Sequence, residues 1–389
     1  MSFEYDIVVV GARVAGAPTA MLLSRMGHRV LMVDRVAMPS DTVSTHALLR
    51  SGVLQMERWG LRHHVLESGA PPIRNITLGF GEERIGFEVR LEHGIGELYA
   101  PRRHVLDGIL LDAAVESGAE FLPETRMVDL LRAADGRVTG VEIETGDSRS
   151  QVTARMVIGA DGVWSRVAKL TGASTLRHHD PTNAVHYAYY EGVDFEGFWF
   201  QFTPGVNAGI ISTNDGLACV FAGRPRRLMP EFSSDPEGEF LRLLRQAGVD
   251  LLARVSAGRR VTPFRGTPGL PGFIRQAHGP GWALVGDAGY TKDPISAHGM
   301  SDALRDAELC ATAVDRALRL PGEERQAMTD FQRLRDRISS AMFTESQALA
   351  GFDWGPAEAS QRMRAISDAV REECALLSGL PVLPAPAMV

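Results

Sequence analysis

The sequence predicts an α/β fold in three parts: a unit that opens strand–helix–strand, an antiparallel β-sheet domain and a helical C-terminal segment. Three observations predict it. Near the start, an apolar run at 7–10, an alanine- and leucine-rich stretch at 14–26 and a second apolar run at 29–33 follow one another, the order strand, helix, strand. From about 177 to 275 aromatic, strand-like segments dominate outside that rhythm. From 322 to 377 the apolar positions fall at helical steps, with Phe331, Leu334, Ile338, Ala341 and Met342 on one face.

The first unit carries the chemistry. Residues 7–10 read as a strand buried on both faces, ending at Gly11, and the second strand stops on Asp34. Between them lies Gly11-Ala-Arg13-Val14-Ala15-Gly16, with seventeen residues from Gly16 to Asp34, the spacing of a dinucleotide fingerprint. A glycine makes the sharp turn, the helix N-terminus receives a pyrophosphate, and the acid takes ribose hydroxyls. Arg13 stands where the pattern has its middle glycine. A side chain there is tolerated only with negative φ and a course away from the phosphates. Arg13 is therefore expected to swing outward, its guanidinium toward phosphate or solvent.

At 389 residues the chain suits two or three domains. A net charge of −7 with no basic tail gives no reason to propose nucleic acid. No apolar run reaches about 18 residues and no charged-then-apolar leader is apparent, so no membrane span or export is expected. Cys219, Cys310 and Cys374 are widely spaced, which suggests a reducing, cytoplasmic compartment and neither a disulfide framework nor a metal site. Lys169 and Lys292 are the only lysines among 41 basic residues. That leaves few candidates for a catalytic lysine.

In chain order, a polar loop at 38–45 leads to a helix at 47–59. Arg50 at its start either reaches the pyrophosphate with a planar guanidinium or is one more solvated arginine. Residues 73–98 read as two or three strands. Pro101-Arg-Arg103-His-Val-Leu-Asp107 opens a helix with Val105, Leu106, Ile109, Leu110, Ala113 and Ala114 on its apolar face, closed by Gly118. Strands at 121–131 and 138–143 are joined through Asp135-Gly136, a hairpin signal. Another strand at 151–157 leads into Asp161-Gly162. Strands at 185–190, 198–202, 208–212 and 217–222, with a helix at 237–247, form the second sheet. Its inward aromatics either wall an apolar or aromatic substrate or simply fill the core. A buried strand at 281–285 precedes Gly286-Asp287. A helix from Gly299 follows, with Met300, Ala303, Leu304, Ala307, Ala311, Val314 and Leu318 at helical steps. The non-helical tail at 380–389 caps a pocket, touches a membrane surface or frays.

Three motifs recur in a fixed order: the glycine fingerprint with Asp34-Arg35, Asp161-Gly-Val-Trp-Ser165-Arg-Val-Ala-Lys169, and Gly286-Asp287-Ala-Gly-Tyr290-Thr-Lys-Asp293-Pro294-Ile-Ser-Ala-His298-Gly299-Met300. In these the sequence resembles the FAD-dependent aromatic hydroxylases, single-component flavoprotein monooxygenases typified by p-hydroxybenzoate hydroxylase. That superfamily also holds geranylgeranyl reductases and flavin halogenases. The resemblance covers nearly the whole chain. It implies a Rossmann-like FAD-binding domain of the glutathione-reductase type from 1–72, 97–172 and 279–320, a substrate-binding sheet domain from 73–96 and 173–278, and a C-terminal helical region at 321–389.

The resemblance implies that Gly11, Arg13, Val14, Ala15 and Gly16 bind the pyrophosphate, and Asp34, with Arg35 beside it, the adenosine ribose. It implies Arg50 and Arg103 near the phosphates, and the Val128 backbone at the adenine. Asp161 and Gly162 belong to a motif for FAD and nicotinamide binding. Gly286-Asp287 meets the ribityl chain, and Pro294, Gly299 and Met300 border the isoalloxazine. Tyr290, Ser296, His298, Ser301 and Lys169 depart from the usual motif residues. The implied cycle uses NAD(P)H to reduce FAD, then O2, and a C4a-hydroperoxide that delivers one oxygen atom to an aromatic or polycyclic small molecule. His46 and His298 are candidate bases, because histidine titrates near neutrality; Tyr290 and Asp293 come second. A geranylgeranyl-reductase-like enzyme acting on C–C bonds is the first alternative. A non-catalytic FAD-binding protein and a plain NAD-dependent dehydrogenase are further ones. A halogenase would need a lysine in the N-terminal portion, and none precedes Lys169. The protein is expected to be a monomer or homodimer.

Overall fold

The computed structural model describes residues 3–320 and 322–382. The chain opens with β1 (Tyr5–Val10), α1 (Gly16–Arg25), β2 (Val30–Val33), α2 (Arg50–Arg58) and α3 (Arg62–Glu67). The hairpin β3 (Asn75–Phe80) and β4 (Glu83–Glu88) precedes α4 (Arg103–Glu116), then β5 (Glu120–Leu122), β6 (Thr125–Arg132), β7 (Val138–Thr145), β8 (Ser148–Gly159) and α5 (Arg166–Thr171). Next come β9 (Thr175–His179), β10 (Asn183–Glu191), β11 (Phe198–Thr203), β12 (Val206–Ser212), β13 (Ala218–Pro225), α6 (Met229–Ser234), α7 (Pro236–Ala247) and α8 (Val249–Ala257). Short strands β14 (Arg259–Arg260), β15 (Arg265–Thr267), β16 (Gly272–Arg275), β17 (His278–Gly279), β18 (Trp282–Leu284) and β19 (Tyr290–Thr291) lead into α9 (Gly299–Arg319), α10 (Glu324–Ala350) and α11 (Pro356–Ser378).

The first sheet runs β17-β18-β8-β1-β2-β5, and the pairs β18–β8, β8–β1, β1–β2 and β2–β5 are parallel. Alternation of side chains across β1 explains its solid apolar sequence. Ile7 and Val9 pack with Met21, Leu22, Leu106 and Leu304 from α1, α4 and α9. Val8 and Val10 pack on the other face with Met127, Val141 and Leu284, under the β6–β7 hairpin.

The second sheet runs β14-β10-β13-β12-β11-β3-β4. It is antiparallel except where β3, contributed from early in the chain, lies parallel to β11. Phe240, Leu243, Leu244 and Leu251 of α7 and α8 cover one face through Ala188, Ile210 and Val220. The other face presents Val185, Tyr187, Tyr189 and Phe221, packed with Ala47 and Ala100.

Some elements differ from expectation. The stretch at 121–131 is two strands, β5 and β6, broken at Glu124, whose φ is +49°. The helix expected from 47 starts at Arg50, because Leu48 instead bridges Tyr99. The helix α8 and the small sheet β19-β16-β9 were not anticipated; their segments are too short to show a period. Of the tail, only 380–382 lies within the described residues, and the Leu380 and Pro381 carbonyls accept from Arg58 Nη2 at 3.4 and 2.9 Å. The three cysteines are free and buried. Among the described residues no helix is long and apolar enough to cross a membrane.

Candidate functional site

A cavity of about 990 Å3 opens at the C-terminal ends of β1 and β2. This is the upper end of the usual range for small-molecule sites, about 300–1,000 Å3. Its walls include Gly11, Arg13, Val14, Ala15, Asp34, Arg35, Arg103, Asp161, Gly162, Asp287, Pro294, Gly299 and Met300. Gly16, Arg50, Val128, Gly286 and His298 are not among them.

The glycine loop is built by close backbone contact. Gly11 has φ +102°, and a Cβ there would stand 2.4 Å from the Ala160 carbonyl oxygen. A Cβ on Gly16 would stand 1.7 Å from the Gly11 oxygen. Gly16 therefore lets the loop fold onto itself and does not face the cavity. Among the described residues no protein acceptor meets the N–H groups of Arg13, Val14 and Ala15, which leaves unpaired donors at the start of α1 for an anion. Asp34 accepts from Ala12 N (2.9 Å) and Val36 N (3.1 Å), so its carboxylate ties the loops on both sides.

Arg13 does leave the cradle, but its guanidinium goes neither to a phosphate position nor to open solvent. It donates to Asp107 Oδ2 at 3.0 Å and to Ser40 O and Oγ at 2.9 and 2.7 Å. Arg103 donates to both oxygens of the same Asp107 at 3.0–3.1 Å. Asp107 is fully buried, and it holds two cations beside the pyrophosphate cradle. The sequence signal for it was the i, i+4 spacing from Arg103; its link to Arg13 was invisible.

Other expectations are corrected. Arg50 is not among the cavity-lining residues and donates to Ile95 O at 2.5 Å beside Glu92. Val128 sits at a bulge between Met127 and Asp129, and its carbonyl accepts from Arg166 Nε and Nη2 at 3.0 and 2.6 Å. The cavity wall on that strand is Thr125, Arg126 and Met127 instead. Gly286, at φ +55°, allows close packing, since a Cβ would stand 2.8 Å from that of Ala15. Asp161 braces α5 by accepting from Ser165 Oγ (2.6 Å), Arg166 N (2.6 Å) and Val167 N (3.1 Å).

The candidate acid–base groups separate clearly. His46, with φ +45°, is buried in the cavity wall. Its Nδ1 meets the Ala100 carbonyl at 3.1 Å and its Nε2 the Tyr189 hydroxyl at 2.8 Å. A carbonyl only accepts, so Nδ1 carries the proton and Nε2 receives the Tyr189 O–H. Burial pushes the imidazole down to about 3. Both ring nitrogens of His46 are thus engaged within the protein. His298 is fully buried and is not among the cavity-lining residues, its Nε2 2.8 Å from Glu373 Oε2. Tyr290 lines the cavity, but its hydroxyl points to Ser339 O at 3.5 Å, and burial raises its pKa well above 10.

The acids of the third motif behave differently. Asp287 is exposed and lines the cavity; desolvation by the surrounding wall pushes its carboxyl up to about 6, opposed by Lys292. Asp293 is 1% exposed, accepts from Asn183 Nδ2 and Ile295 N at 3.0 Å each, and leaves Oδ2 without a partner. Burial pushes it up to about 7. A carboxyl raised on folding makes the folded state bind protons more tightly, so stability falls as pH rises from about 4 to about 7 and then levels. The Asp293→Asn protein is expected to show a shallower slope of unfolding free energy in that window, read from urea titrations at pH 4.5 to 8. An unchanged slope would place the titration elsewhere.

A side chamber of about 80 Å3 adjoins the cavity, walled by Val185, Tyr187, Phe200, Phe221, Asn207 and Ile295. Ser44, Thr45, Pro294 and Ala297 line both spaces.

The glycine cradle, the unpaired α1 donors, Asp34 and the volume of the cavity fit a dinucleotide cofactor. Residues 4–228 match the model of the FAD binding domain family. The chain belongs to this family. Digeranylgeranylglycerophospholipid reductase 1 of Methanopyrus kandleri is 30% identical over 321 residues, covering 77% of this chain and 78% of the relative. A probable FAD-dependent monooxygenase from Pseudomonas aeruginosa superposes with a TM-score of 0.79 at 23% identity, over 94% of this chain and 99% of the other. The myxobacterial chondrochloren halogenase gives 0.80 at 20% identity, over 98% and 99%. The structural likenesses are of fold. The family match and the 30% identical reductase show the chain to be an FAD-dependent oxidoreductase.

Proposed function

We propose that the chain is an FAD-dependent monooxygenase that takes electrons from NAD(P)H and inserts one oxygen atom into a compact aromatic molecule. The observation that carries this reading is the aromatic-walled side chamber beside Pro294 and Ala297. A preformed apolar cavity of about 150 Å3 takes benzene. The 80 Å3 chamber therefore receives the edge of a ring from the main cavity and is short for an extended polyprenyl chain. The Gly11 loop, the start of α1 and Asp34 would hold FAD, which would supply the redox chemistry between NAD(P)H and O2, one oxygen atom going to product and the other to water.

The chain's own residues would shape that chemistry. The start of α9 at Gly299 and Met300 turns free N–H groups and a positive helix end toward the cavity. The sheet wall of Val185, Phe200 and Phe221 keeps water from the reacting end. Asp293, whose carboxyl is poised near neutrality, is the group best able to hold or release a proton at the cavity wall.

A second reading is reduction of a C–C double bond, favoured by the 30% identity to an isoprenoid-lipid reductase. The purified holoprotein incubated with NAD(P)H, O2 and a panel of phenols and polyketides separates the two by product mass. A gain of one oxygen supports the monooxygenase; a gain of two hydrogens, or turnover of polyprenyl lipids only, sinks it. Filling the chamber with Val185→Trp is expected to lower hydroxylated product at least tenfold while FAD content stays unchanged. Unaltered product formation would move the substrate site elsewhere.

A further inference from the structure

Arginine has replaced lysine almost everywhere in this chain, yet both remaining lysines, Lys169 and Lys292, line the cofactor cavity. Lys169 is exposed at the mouth. Lys292 is at the inner end, its side chain 3% exposed, paired through Nζ with Asp302 in the first turn of α9. Asp302 is its one hydrogen-bond partner among the described residues. An ammonium carries three protons, and a buried one left with unpaired donors is costly.

Asp302 does not need Lys292 as its only counterion. Its Oδ1 accepts from Arg305 Nη1 at 2.8 Å and stands 3.9 Å from His298 Nε2. Arg305 also binds Asp306 at 2.8 Å, and His298 binds Glu373 on α11 at 2.8 Å. Desolvation opposes ionisation of Asp302, but Lys292 and Arg305 together hold its carboxyl below the ordinary value. The pair Lys292–Asp302 is thus a rigid mount tied through α9 to the C-terminal helix. Lys292, Asp302, Asp287 and Gly299 all line the same cavity.

We propose that Lys292 is a charge partner of the bound flavin: its unused N–H donors serve the cofactor, and its positive charge favours the reduced, negatively charged form. Asp302 positions the ammonium and moderates its charge. A lysine suits this place because its compact ammonium can be shared between a carboxylate and a ligand, whereas the broad guanidinium fork would engage Asp302 fully. This role is independent of whether the product is hydroxylated or hydrogenated.

The test is the midpoint potential of bound FAD, with FAD titration of apoprotein as a second readout. Lys292→Met is expected to bind oxidised FAD within a few-fold of the parent. Its preference for the reduced form should fall at least tenfold, about 30 mV more negative for a two-electron couple. Lys292→Arg keeps the positive charge but commits its donors to Asp302, and should recover only part of that shift. Asp302→Asn, which removes a negative charge, should move the potential the opposite way. A Lys292→Met protein with an unchanged potential overturns the proposal. So does an Asp302→Asn shift in the same direction as Lys292→Met, which would signal structural damage alone. If Lys292→Met does not fold, the double variant Lys292→Met/Asp302→Asn has no orphaned charge, and its potential must lie below that of Asp302→Asn.

Discussion

The Asp107→Ala protein is expected to lose about 3–5 kcal/mol of stability and most of its FAD. Asp107 is fully buried and receives Arg13 on one oxygen and Arg103 on both. Removing one partner of a buried ionic cluster costs about that much, because the remaining charges stay desolvated without compensation. The loss of FAD has a separate cause. The Asp107 carboxylate keeps the Arg13 side chain clear of the cradle formed by Gly11 and Ala15; released, the guanidinium is free to enter it. Urea titration reads the first effect, and flavin content after gel filtration the second. Asp107→Asn keeps the size and one acceptor and should lie between parent and alanine variant. A fully flavinated, equally stable alanine protein would mean that Ser40 alone secures Arg13.

Gly11→Ala is expected to be comparably damaging, for steric reasons. At φ +102°, with the new Cβ 2.4 Å from the Ala160 carbonyl oxygen, both the local conformation and the contact resist a side chain. Strained backbone alone costs about 1–3 kcal/mol, and here the obstacle is backbone of the adjoining strand end. The loop must move off β8, carrying the unpaired N–H groups of Arg13 to Ala15 with it. Weakened FAD binding by at least a hundredfold, with a lower unfolding midpoint, is the expected result. Gly27→Ala is the control: its φ is +89°, but nothing lies within 4 Å of the added methyl, so its cost is the conformational one alone.

Much of the site was legible because its signals are local. The turn at Gly11, the acid at Asp34, the Asp161-Gly162 turn and the Asp287 and Gly299 positions each follow a buried strand or open a helix, and each lines the cavity. What misled was equally specific. Arg50 and His298 carry suitable chemistry at suitable places in the motifs, but the direction of a side chain depends on distant partners. Ile95 lies 45 residues from Arg50 and Glu373 lies 75 from His298. His46 sits in the wall, yet the Tyr189 hydroxyl, 143 residues away, occupies its lone pair.

The βαβ opening, the antiparallel second sheet, the helical C-terminal segment and the class of cofactor can all be read from short stretches of the chain. Periodicity, glycine turns and strand-end acids are properties of neighbouring residues, and the backbone enforces them locally. Which charged groups line the cavity depends instead on partners far away in the chain. Arg50 is drawn off by Ile95 and His298 by Glu373, while Arg13, tied to Asp107, and Lys292, held by Asp302, remain at the wall. Burying a charge is costly enough that each one goes to the nearest compensating partner, and which partner is nearest is a fact of packing.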